Sequence, residues 1–157
     1  MIASDILEKA KEKRIMIATA ESCTGGMVAA ALTDIAGSSA VVDRGFVTYS
    51  NDAKMAMLGV RSATLDAVGA VSEEVAQDMA EGALANSAAQ LTVSITGIAG
   101  PGGSDHKPEG RVCFAVARTG RATQTETVEF GALGRAQVRA AARDHALQLL
   151  LTALNMD

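Results

Sequence analysis

Aromatic side chains are nearly absent from this chain. Phe, Tyr and Trp make up 3% of its residues, there is no Trp, and Tyr49 is the single tyrosine. Since 48% of the residues are apolar, the sequence predicts a core built from Ala, Val, Leu, Ile and Met. A tyrosine is unusual in such a chain, so Tyr49 becomes a candidate for a functional role.

Long hydrophobic runs and an excess of basic residues are also missing. No apolar segment approaches the roughly 20 residues that a membrane-spanning helix needs, and the N-terminus mixes Asp5, Glu8 and Lys9 with apolar residues, unlike a signal peptide. The formal net charge is −4, with acids and bases interspersed, so no basic nucleic-acid-binding surface is expected. We expect a soluble, cytoplasmic protein that partners neither membrane nor nucleic acid.

Potential metal ligands and redox-active residues are few. The cysteines are Cys23 and Cys113, and the histidines are His106 and His145. A cytosolic chain keeps its thiols reduced, and neither histidine has metal-ligand spacing to another His or Cys. No carboxylate cluster that would hold Mg²⁺ is visible either. The sequence therefore indicates a protein without a metal or other cofactor.

The order of the apolar segments predicts the fold class. A chain of 157 residues fits one domain, spanning 1–157, with a substantial core. Buried strands are predicted at 15–20 and 91–95, alternating with helices, and strands 110–118 and 123–130 follow as a hairpin. This pattern favours an α/β protein, a three-layer α/β/α sandwich around a mixed, mostly parallel sheet.

Helical spacing and end signals predict the remaining elements. In chain order, these begin with a helix at 4–14 with Ser4 as N-cap, a helix from the Gly25-Gly26 turn to about Ala36, and a strand at 41–50 that is broken or bulged at Gly45. A short helix follows, capped by Asn51 or Asp52 and ended by Gly59. The last elements are a helical turn at 64–68, a helix capped by Ser72, and a helix at 133–156.

The stretch T-A-E-S-C-T-G-G, residues 19–26, carries most of the chemistry. A strand is predicted to end here, the backbone to turn at Gly25 and Gly26, and a helix to begin. Such a turn presents backbone N–H groups to an anion or a developing oxyanion. An ordinary strand-to-helix corner, capped by Thr24 or Ser22, is the alternative. The polar side chains of this stretch are Glu21, Ser22, Cys23 and Thr24.

A second glycine-rich stretch, T-G-I-A-G-P-G-G at 96–103, follows another predicted strand. If the two strands are neighbours, both stretches form one phosphate-binding crevice at the carboxyl edge of the sheet. Neither stretch matches a P-loop or a dinucleotide-binding fingerprint, so these two classes are rejected. The alternative for this stretch is a flexible turn. We expect the polar segment that follows, 104–109, to be mobile.

Lys54 stands near the start of a predicted helix, where the helix dipole mildly disfavours a cation. A solvated surface lysine is one interpretation. If Lys54 instead points into the crevice, desolvation and the positive helix terminus both lower its pKa. A neutral amine could then act as a base toward a hydroxyl, with Ser22 as the natural partner.

Other nucleophiles and ligands remain open. Cys23 ranks second to Ser22, since a helix N-terminus lowers a thiol pKa, although cysteines at strand ends are more often simply buried. A triad through His106 would rest on an unsupported loop. Arg135 and Arg139 share one face of the last helix, as a solvated surface or as bidentate ligands of a phosphate.

Several motifs occur in unbroken order between about residues 20 and 110: A-E-S-C-T-G-G, D-I-A-G-S-S, R-G-F-V-T-Y-S-N-D-A-K, G-A-V-S-E-E-V and S-I-T-G-I-A-G-P-G-G. Together they resemble the CinA C-terminal domain family, and in particular its stand-alone bacterial members. Those proteins hydrolyse nicotinamide mononucleotide to nicotinic acid mononucleotide and ammonia. No additional N-terminal domain is expected here.

The resemblance implies roles for individual residues. Ser22 would be the nucleophile and Lys54 its base, with Tyr49 and Thr96 orienting the lysine or the scissile amide. Arg139, rather than Arg135, matches a family arginine. No metal or cofactor is implied. The substrate-binding residues would be Glu21, Thr24, Gly25, Gly26, Asn51, Gly97, Gly100, Gly102, Gly103, Arg135 and Arg139, with Thr24, Gly25 and the 100–103 loop holding phosphate or donating to the oxyanion.

The resulting hypothesis is a nicotinamide-nucleotide amidase that acts on a small-molecule nucleotide in pyridine nucleotide recycling. The alternative is a non-catalytic nucleotide- or phosphate-binding module linked to competence or DNA-damage responses. A homo-oligomer, with a dimer favoured, is expected because an alanine- and methionine-rich chain can pair through a helix face.

Overall fold

A computed structural model describes residues 1–104 and 106–156 of the chain. Its regular elements are α1 (Ile2–Lys13), β1 (Ile17–Glu21), α2 (Met27–Thr33), a short 3₁₀ helix (Ser38–Ala40), β2 (Val42–Val47), α3 (Asn51–Leu58), α4 (Ser62–Val68), α5 (Glu73–Ala85), β3 (Leu91–Gly97), β4 (Arg111–Arg118), β5 (Gln124–Glu129) and α6 (Arg135–Asn155).

The strands form one sheet in the order β2-β1-β3-β4-β5. β1 pairs in parallel with both β2 and β3, whereas β4 is antiparallel to its neighbours β3 and β5. Four strands therefore share one direction and β4 runs against them. This arrangement confirms the predicted mixed, mostly parallel sheet and its terminal hairpin.

Helices cover both faces of the sheet, as a three-layer sandwich requires. One face packs against α1, α2 and α6 around residues such as Ile17, Phe114 and Leu150. The opposite face packs against α3 and α5, with Ala20 and Met79 in its core. Every residue of β1 is buried, which explains why residues 17–20 are apolar or small rather than alternating in polarity.

The side chains of β3 divide between the two layers with the period of a strand. Leu91, Val93 and Ile95 belong to the larger core. The alternate residues are hydroxyl-bearing: Thr92 donates to the Ala80 carbonyl at 2.7 Å, and Ser94 and Thr96 continue the row. Ser94 donates to the Ala76 carbonyl of α5 in the same way, and Thr96 lies at the edge where two strands end.

Several predicted helix ends differ from the structure. Ser4 does not cap α1, because the helix already begins at Ile2. α2 ends at Thr33, earlier than predicted, and Gly37 instead precedes the 3₁₀ helix with a φ of 85°. α3 is capped by Ser50, whose Oγ accepts from the amide of Ala53, rather than by Asn51 or Asp52. A side-chain cap was correctly expected there but assigned one residue too late.

The predicted irregularity in β2 also lies elsewhere. The register shift falls between Ile17 and Ala18, which pair with Val42 and Arg44, so it does not occur at Gly45. That glycine has a packing role instead. A Cβ there would lie 2.8 Å from the Thr19 hydroxyl oxygen and 3.3 Å from the Ala29 Cβ. Gly45 therefore lets α2 approach the sheet closely.

Within the ranges 1–104 and 106–156, none of the helices combines the length and apolarity needed to cross a bilayer.

Gly82 provides a test of how closely the helices on the second face pack. A Cβ at this position of α5 would lie 1.9 Å from the Leu58 carbonyl oxygen at the end of α3. Replacing glycine by alanine in an exposed helix stabilises it by about 1 kcal/mol. We expect Gly82→Ala to have the opposite sign, since overpacking against a rigid backbone costs about 1–3 kcal/mol.

Urea unfolding of the two proteins measures this effect. Gln77→Ala, at an exposed position of the same helix, serves as the control and should change the free energy of unfolding by less than about 0.5 kcal/mol. A stabilised Gly82→Ala variant would contradict the packing described here.

Candidate active site

A cavity of about 380 Å³ lies where the carboxyl ends of β1 and β3 meet. The two strand ends are joined directly, because the amide of Ser22 donates to the Ile95 carbonyl at 2.9 Å. The prediction that both glycine-rich stretches form one crevice is thereby confirmed. The lining residues are Ser22, Cys23, Tyr49, Asn51, Lys54, Ala70, Val71, Thr96, Gly97, Ile98, Ala99, Gly100, Pro101, Gly102, Gly103, Ser104, Lys107 and Arg135.

Lys54 is buried in this cavity wall, with 2% of its surface exposed. Its Nζ donates to Ser22 Oγ at 3.0 Å, to the Thr48 carbonyl at 3.0 Å and to the Tyr49 carbonyl at 3.4 Å. α3 begins immediately after Ser50, and this start turns a first-turn lysine inward. The interpretation of Lys54 as a solvated surface residue is therefore wrong.

Burial lowers the pKa of the Lys54 ammonium group below its ordinary value, and a negative charge on the Cys23 thiol would act in the opposite direction. The three acceptors around Nζ are a hydroxyl and two carbonyls, all without formal charge. They stabilise the ammonium less than a carboxylate would. Lys54 therefore releases its proton more readily than an exposed lysine.

The carboxylate of Glu21 caps helix α2 instead of facing the cavity. It accepts from Thr24 Oγ1 at 2.6 Å, from the Val28 amide at 2.9 Å and from the Ala29 amide at 3.1 Å. A cap from Thr24 or Ser22 was therefore the wrong expectation. Glu21 satisfies the first amides of the helix, and as a substrate ligand it is misplaced.

The turn between β1 and α2 is held from beneath. Gly25 and Gly26 have φ angles of 57° and 104°, so the predicted sharp glycine turn is confirmed. Arg139 donates from Nε to the Cys23 carbonyl at 3.0 Å and from Nη2 to the Thr24 carbonyl at 3.3 Å. None of Thr24, Gly25, Gly26 and Arg139 lines the cavity, and Arg139 braces the turn.

Arg135, one helical turn earlier on α6, lies at the cavity. It donates from Nη1 to the Gly100 carbonyl and from Nη2 to the Tyr49 hydroxyl, both at 2.7 Å. The Tyr49 side chain is 62% exposed, and its hydroxyl meets this guanidinium instead of Lys54. Of the two arginines predicted as substrate ligands, Arg135 therefore lines the cavity and Arg139 does not.

The remaining predicted residues of β3 and α3 line the cavity. Thr96 Oγ1 donates to the Ala70 carbonyl at 2.9 Å, so it fixes the opposite wall. A Cβ at Gly97 would lie 2.7 Å from Val112 Cγ2 on β4, which explains the glycine. Asn51 is the first residue of α3 and stands exposed at the rim.

The glycine loop is braced by a carboxylate. The Gly102 amide donates to Glu109 Oε1 at 2.7 Å, so this amide is already occupied and is not a free donor for phosphate. A Cβ at Gly103 would lie 2.4 Å from the Lys107 carbonyl oxygen. Gly103 therefore permits a close return of the chain, whereas Gly102 provides the positive φ of 78° that the loop requires.

The polar segment expected to be mobile is held in place where it is described. Ser104 and Lys107 pair as a β-bridge, and Lys107 Nζ donates at 2.6 Å to both the Val68 and the Val71 carbonyls. Asp105 falls outside the described residues. Lys107 and Glu109 were missed as site residues, although their position as charged neighbours of Pro108 directly after the glycine loop was a usable signal.

The alternative chemistries do not fit the structure. Cys23 and Cys113 are free and buried, and burial raises the pKa of the Cys23 thiol to about 11, opposite to the lowering that a nucleophile requires. His145 pairs with Glu126, and exposed His106 does not line the cavity. Among the described residues, no group of three His, Cys, Asp or Glu side chains could hold a metal ion.

Fold and site together define an α/β domain with a buried lysine beside a serine at the carboxyl edge of a mixed sheet. The model of the CinA C-terminal domain matches residues 1–154. The chain belongs to the CinA C-terminal domain family.

Individual relatives fall into short and long proteins. The chain is 51% identical over 150 residues to "Nicotinamide-nucleotide amidohydrolase PncC" of Escherichia coli, covering 95% of this chain and 90% of that protein. It is 49% identical over 144 residues to a "CinA-like protein" of Chlorobium phaeobacteroides, covering 89% of this chain and 34% of the other. The chain thus spans about a third of the length of that relative.

Solved structures show the same fold. The competence/damage inducible protein CihA from Agrobacterium tumefaciens superposes with a TM-score of 0.94 at 50% identity, covering 99% of this chain and 94% of that chain. A CinA superfamily protein from Escherichia coli superposes with a TM-score of 0.89 at 36% identity, covering 97% and 90% of the two chains.

The capping role of Glu21 predicts a stability effect. In Glu21→Gln, one carboxylate oxygen becomes an NH₂ group, so the backbone N–H of either Val28 or Ala29 faces a donor in place of an acceptor. Because hydrogen bonds to charged groups contribute about 1.5–3 kcal/mol, we expect the free energy of unfolding to fall by about that amount. Urea titration measures the change.

Glu74→Gln is the matched control, since Glu74 is an exposed acid in the first turn of α5. Its loss removes only a helix-dipole interaction, worth about 0.3–1 kcal/mol. Equal effects of the two substitutions would show that Glu21 contributes no more than its charge.

Proposed function

We propose that this protein hydrolyses the carboxamide of nicotinamide mononucleotide, with Ser22 as nucleophile and Lys54 as general base. The observation that carries the proposal is the buried Lys54 Nζ, 3.0 Å from Ser22 Oγ. The similarity to the Escherichia coli protein named nicotinamide-nucleotide amidohydrolase supports this substrate. Production of nicotinic acid mononucleotide would give the enzyme a role in recycling pyridine nucleotides.

The reaction proceeds through an acyl-enzyme. Neutral Lys54 accepts the proton of Ser22 as Oγ attacks the carboxamide carbon and forms a tetrahedral oxyanion. The C–N bond then breaks, Lys54 returns its proton to the leaving nitrogen, and ammonia departs. Water, deprotonated by the same amine, attacks the ester, and Ser22 leaves with the proton that Lys54 supplies.

The oxyanion needs backbone donors close to Ser22. The amides of Ser22 and Gly25 already donate to the carbonyls of Ile95 and Ser22. The amides of Cys23 and Thr24 donate to no other residue within the described chain. Of these two residues, Cys23 lines the cavity and Thr24 does not, so we assign the oxyanion to the Cys23 N–H, and such a donor is worth about 3–4 kcal/mol of barrier.

The charge of the cavity suits an anionic substrate. Two cationic side chains, Lys107 and Arg135, line it beside the neutral amine of Lys54, and no carboxylate does so among the described residues, although the chain carries a formal net charge of −4. Arg135 is assigned to the phosphate, because a guanidinium can bind two phosphate oxygens at once. Asn51, Gly97, Gly100 and Gly103 complete the substrate-binding wall, where backbone can approach a nucleotide closely.

A non-catalytic nucleotide-binding module is the competing function. It is favoured by the similarity to the solved structure of a competence/damage inducible protein. A binding module would use the cationic cavity but has no use for a desolvated lysine hydrogen-bonded to a serine. Burying a lysine costs stability, which favours the enzyme.

Substitution of the pair tests the catalytic proposal directly. Ser22→Ala and Lys54→Met should each lower ammonia release from nicotinamide mononucleotide by at least about 10³-fold, and the double variant should be little worse, because groups that act as a unit are not additive. Ammonia is measured with a coupled dehydrogenase. Lys11→Met, at an exposed position, is the control for the loss of a lysine. Full turnover by Ser22→Ala would contradict the mechanism.

The depressed pKa of Lys54 predicts a pH dependence. The base must be neutral, so kcat/KM should fall as pH decreases through the pKa of Lys54 in the folded protein, which lies below the ordinary 10.5. Between these two values the unfolded chain binds one proton more, so the free energy of unfolding should rise with pH. A pH–rate profile and urea titrations measure both effects.

Lys54→Met is the control for the stability part of this prediction. The variant should lose that increase with pH, because methionine does not titrate. A wild-type profile flat in kcat/KM from pH 6 to pH 10 would argue against a neutral lysine as base.

A further inference from the structure

Glu109 joins two parts of the cavity wall that are distant in sequence. Its Oε1 accepts from the Gly102 amide at 2.7 Å, and its Oε2 accepts from the Gly134 amide at 3.0 Å. Gly102 belongs to the glycine loop, and Gly134 is the N-cap residue of α6. One half-buried carboxylate therefore links the loop to the beginning of the last helix.

The loop is shaped to receive this carboxylate. Gly100 has a φ of 91° and Gly102 a φ of 78°, values that residues with a Cβ rarely adopt. A Cβ on Gly100 would lie 2.5 Å from Glu109 Cδ and 2.7 Å from Oε1. The absence of that carbon lets the carboxylate pack directly against the loop backbone.

Arg135 follows Gly134 in the chain and holds the same loop from its other side. Its Nη1 donates to the Gly100 carbonyl at 2.7 Å, and its Nη2 donates to the Tyr49 hydroxyl. Glu109 fixes the backbone immediately before Arg135 and the loop that the guanidinium contacts. The direction of the guanidinium therefore depends on Glu109.

We propose that Glu109 is a positioning residue for substrate binding, which orients Arg135 and the 100–103 loop toward the anionic group of the substrate. Its side chain does not line the cavity, so it acts through these neighbours. The proposal rests on the proposed function for the identity of the substrate. It explains why a carboxylate, which would repel a phosphate, stands beside a cationic wall.

The direction of the change in KM distinguishes a positioning role of Glu109 from electrostatic repulsion of the substrate. Glu109→Gln keeps the shape but places an NH₂ against one of the two amide donors. We expect KM for nicotinamide mononucleotide to rise about tenfold, since one hydrogen bond to a charged group is worth about that factor in an equilibrium constant. Glu109→Ala should raise KM further, and kcat should change by less than about twofold in both variants.

Glu129→Gln is the charge-matched control, because Glu129 pairs with Arg111 on β4 and does not line the cavity. It should leave KM unchanged. A lower KM in the Glu109 variants would show a repelling surface anion and overturn the proposal. A loss of kcat together with a loss of folded stability, with KM unchanged, would show that Glu109 has only a structural role. That result would also overturn the proposal.

A second readout does not require turnover. Amide hydrogen exchange, followed by NMR, should accelerate at Gly102 and Gly134 in Glu109→Ala and not in Glu129→Gln. Calorimetric affinity for nicotinic acid mononucleotide should fall about tenfold in parallel. If the wild type releases no ammonia, the proposed function fails, and these two measurements still decide the role of Glu109: unchanged exchange or affinity would refute it.

Discussion

The site depends on the burial of one amine among uncharged oxygens. Lys54 Nζ is held by Ser22 Oγ and by two backbone carbonyls, and no carboxylate is among these acceptors. Water would stabilise the ammonium form better than this environment does, so burial shifts the amine toward its neutral form. This burial depends on the start of α3, because the Ser50 cap fixes the first turn of the helix directly after β2. Burial of Lys54 therefore favours the neutral, basic form of its amine and lowers the stability of the fold.

Several charged side chains around the cavity bind backbone groups instead of oppositely charged side chains. Glu21 binds the first amides of α2, Arg139 binds two carbonyls of the preceding turn, and Lys107 binds two carbonyls across the cavity. Since buried backbone groups must find partners, these contacts let irregular chain line the cavity without a loss of stability. Ser22, the nucleophile that we propose, therefore lies on a turn that the Glu21 cap and Arg139 stabilise.

The sequence was informative where a role depends on local order along the chain. The α/β class and the glycine turn followed from the order of strands and motifs along the chain. For Lys54 the residues alone left open a solvated surface lysine or a base beside Ser22, and the resemblance selected the pairing with Ser22. The sequence does not show which side of a turn a group reaches: Glu21 was predicted to be a substrate ligand, and only the path of the chain shows that its carboxylate turns back to cap α2. Arg135 and Arg139 are one turn apart on the same helix face, so spacing alone could not decide which one enters the cavity.

The contribution of α6 has a consequence for how the site comes into being during synthesis. Ser22 directly after β1, Lys54 on α3 and the row of hydroxyls on β3 all leave the ribosome well before residue 135. Until the last helix docks, the carbonyls of Cys23 and Thr24 lack the guanidinium of Arg139, and the glycine loop lacks its contact with Arg135. In a nascent chain the edge of the sheet can thus be formed while the turn after Ser22 still lacks its contacts with α6. The activity that we propose therefore requires the last long-range contacts of the fold, which a partly synthesised chain lacks.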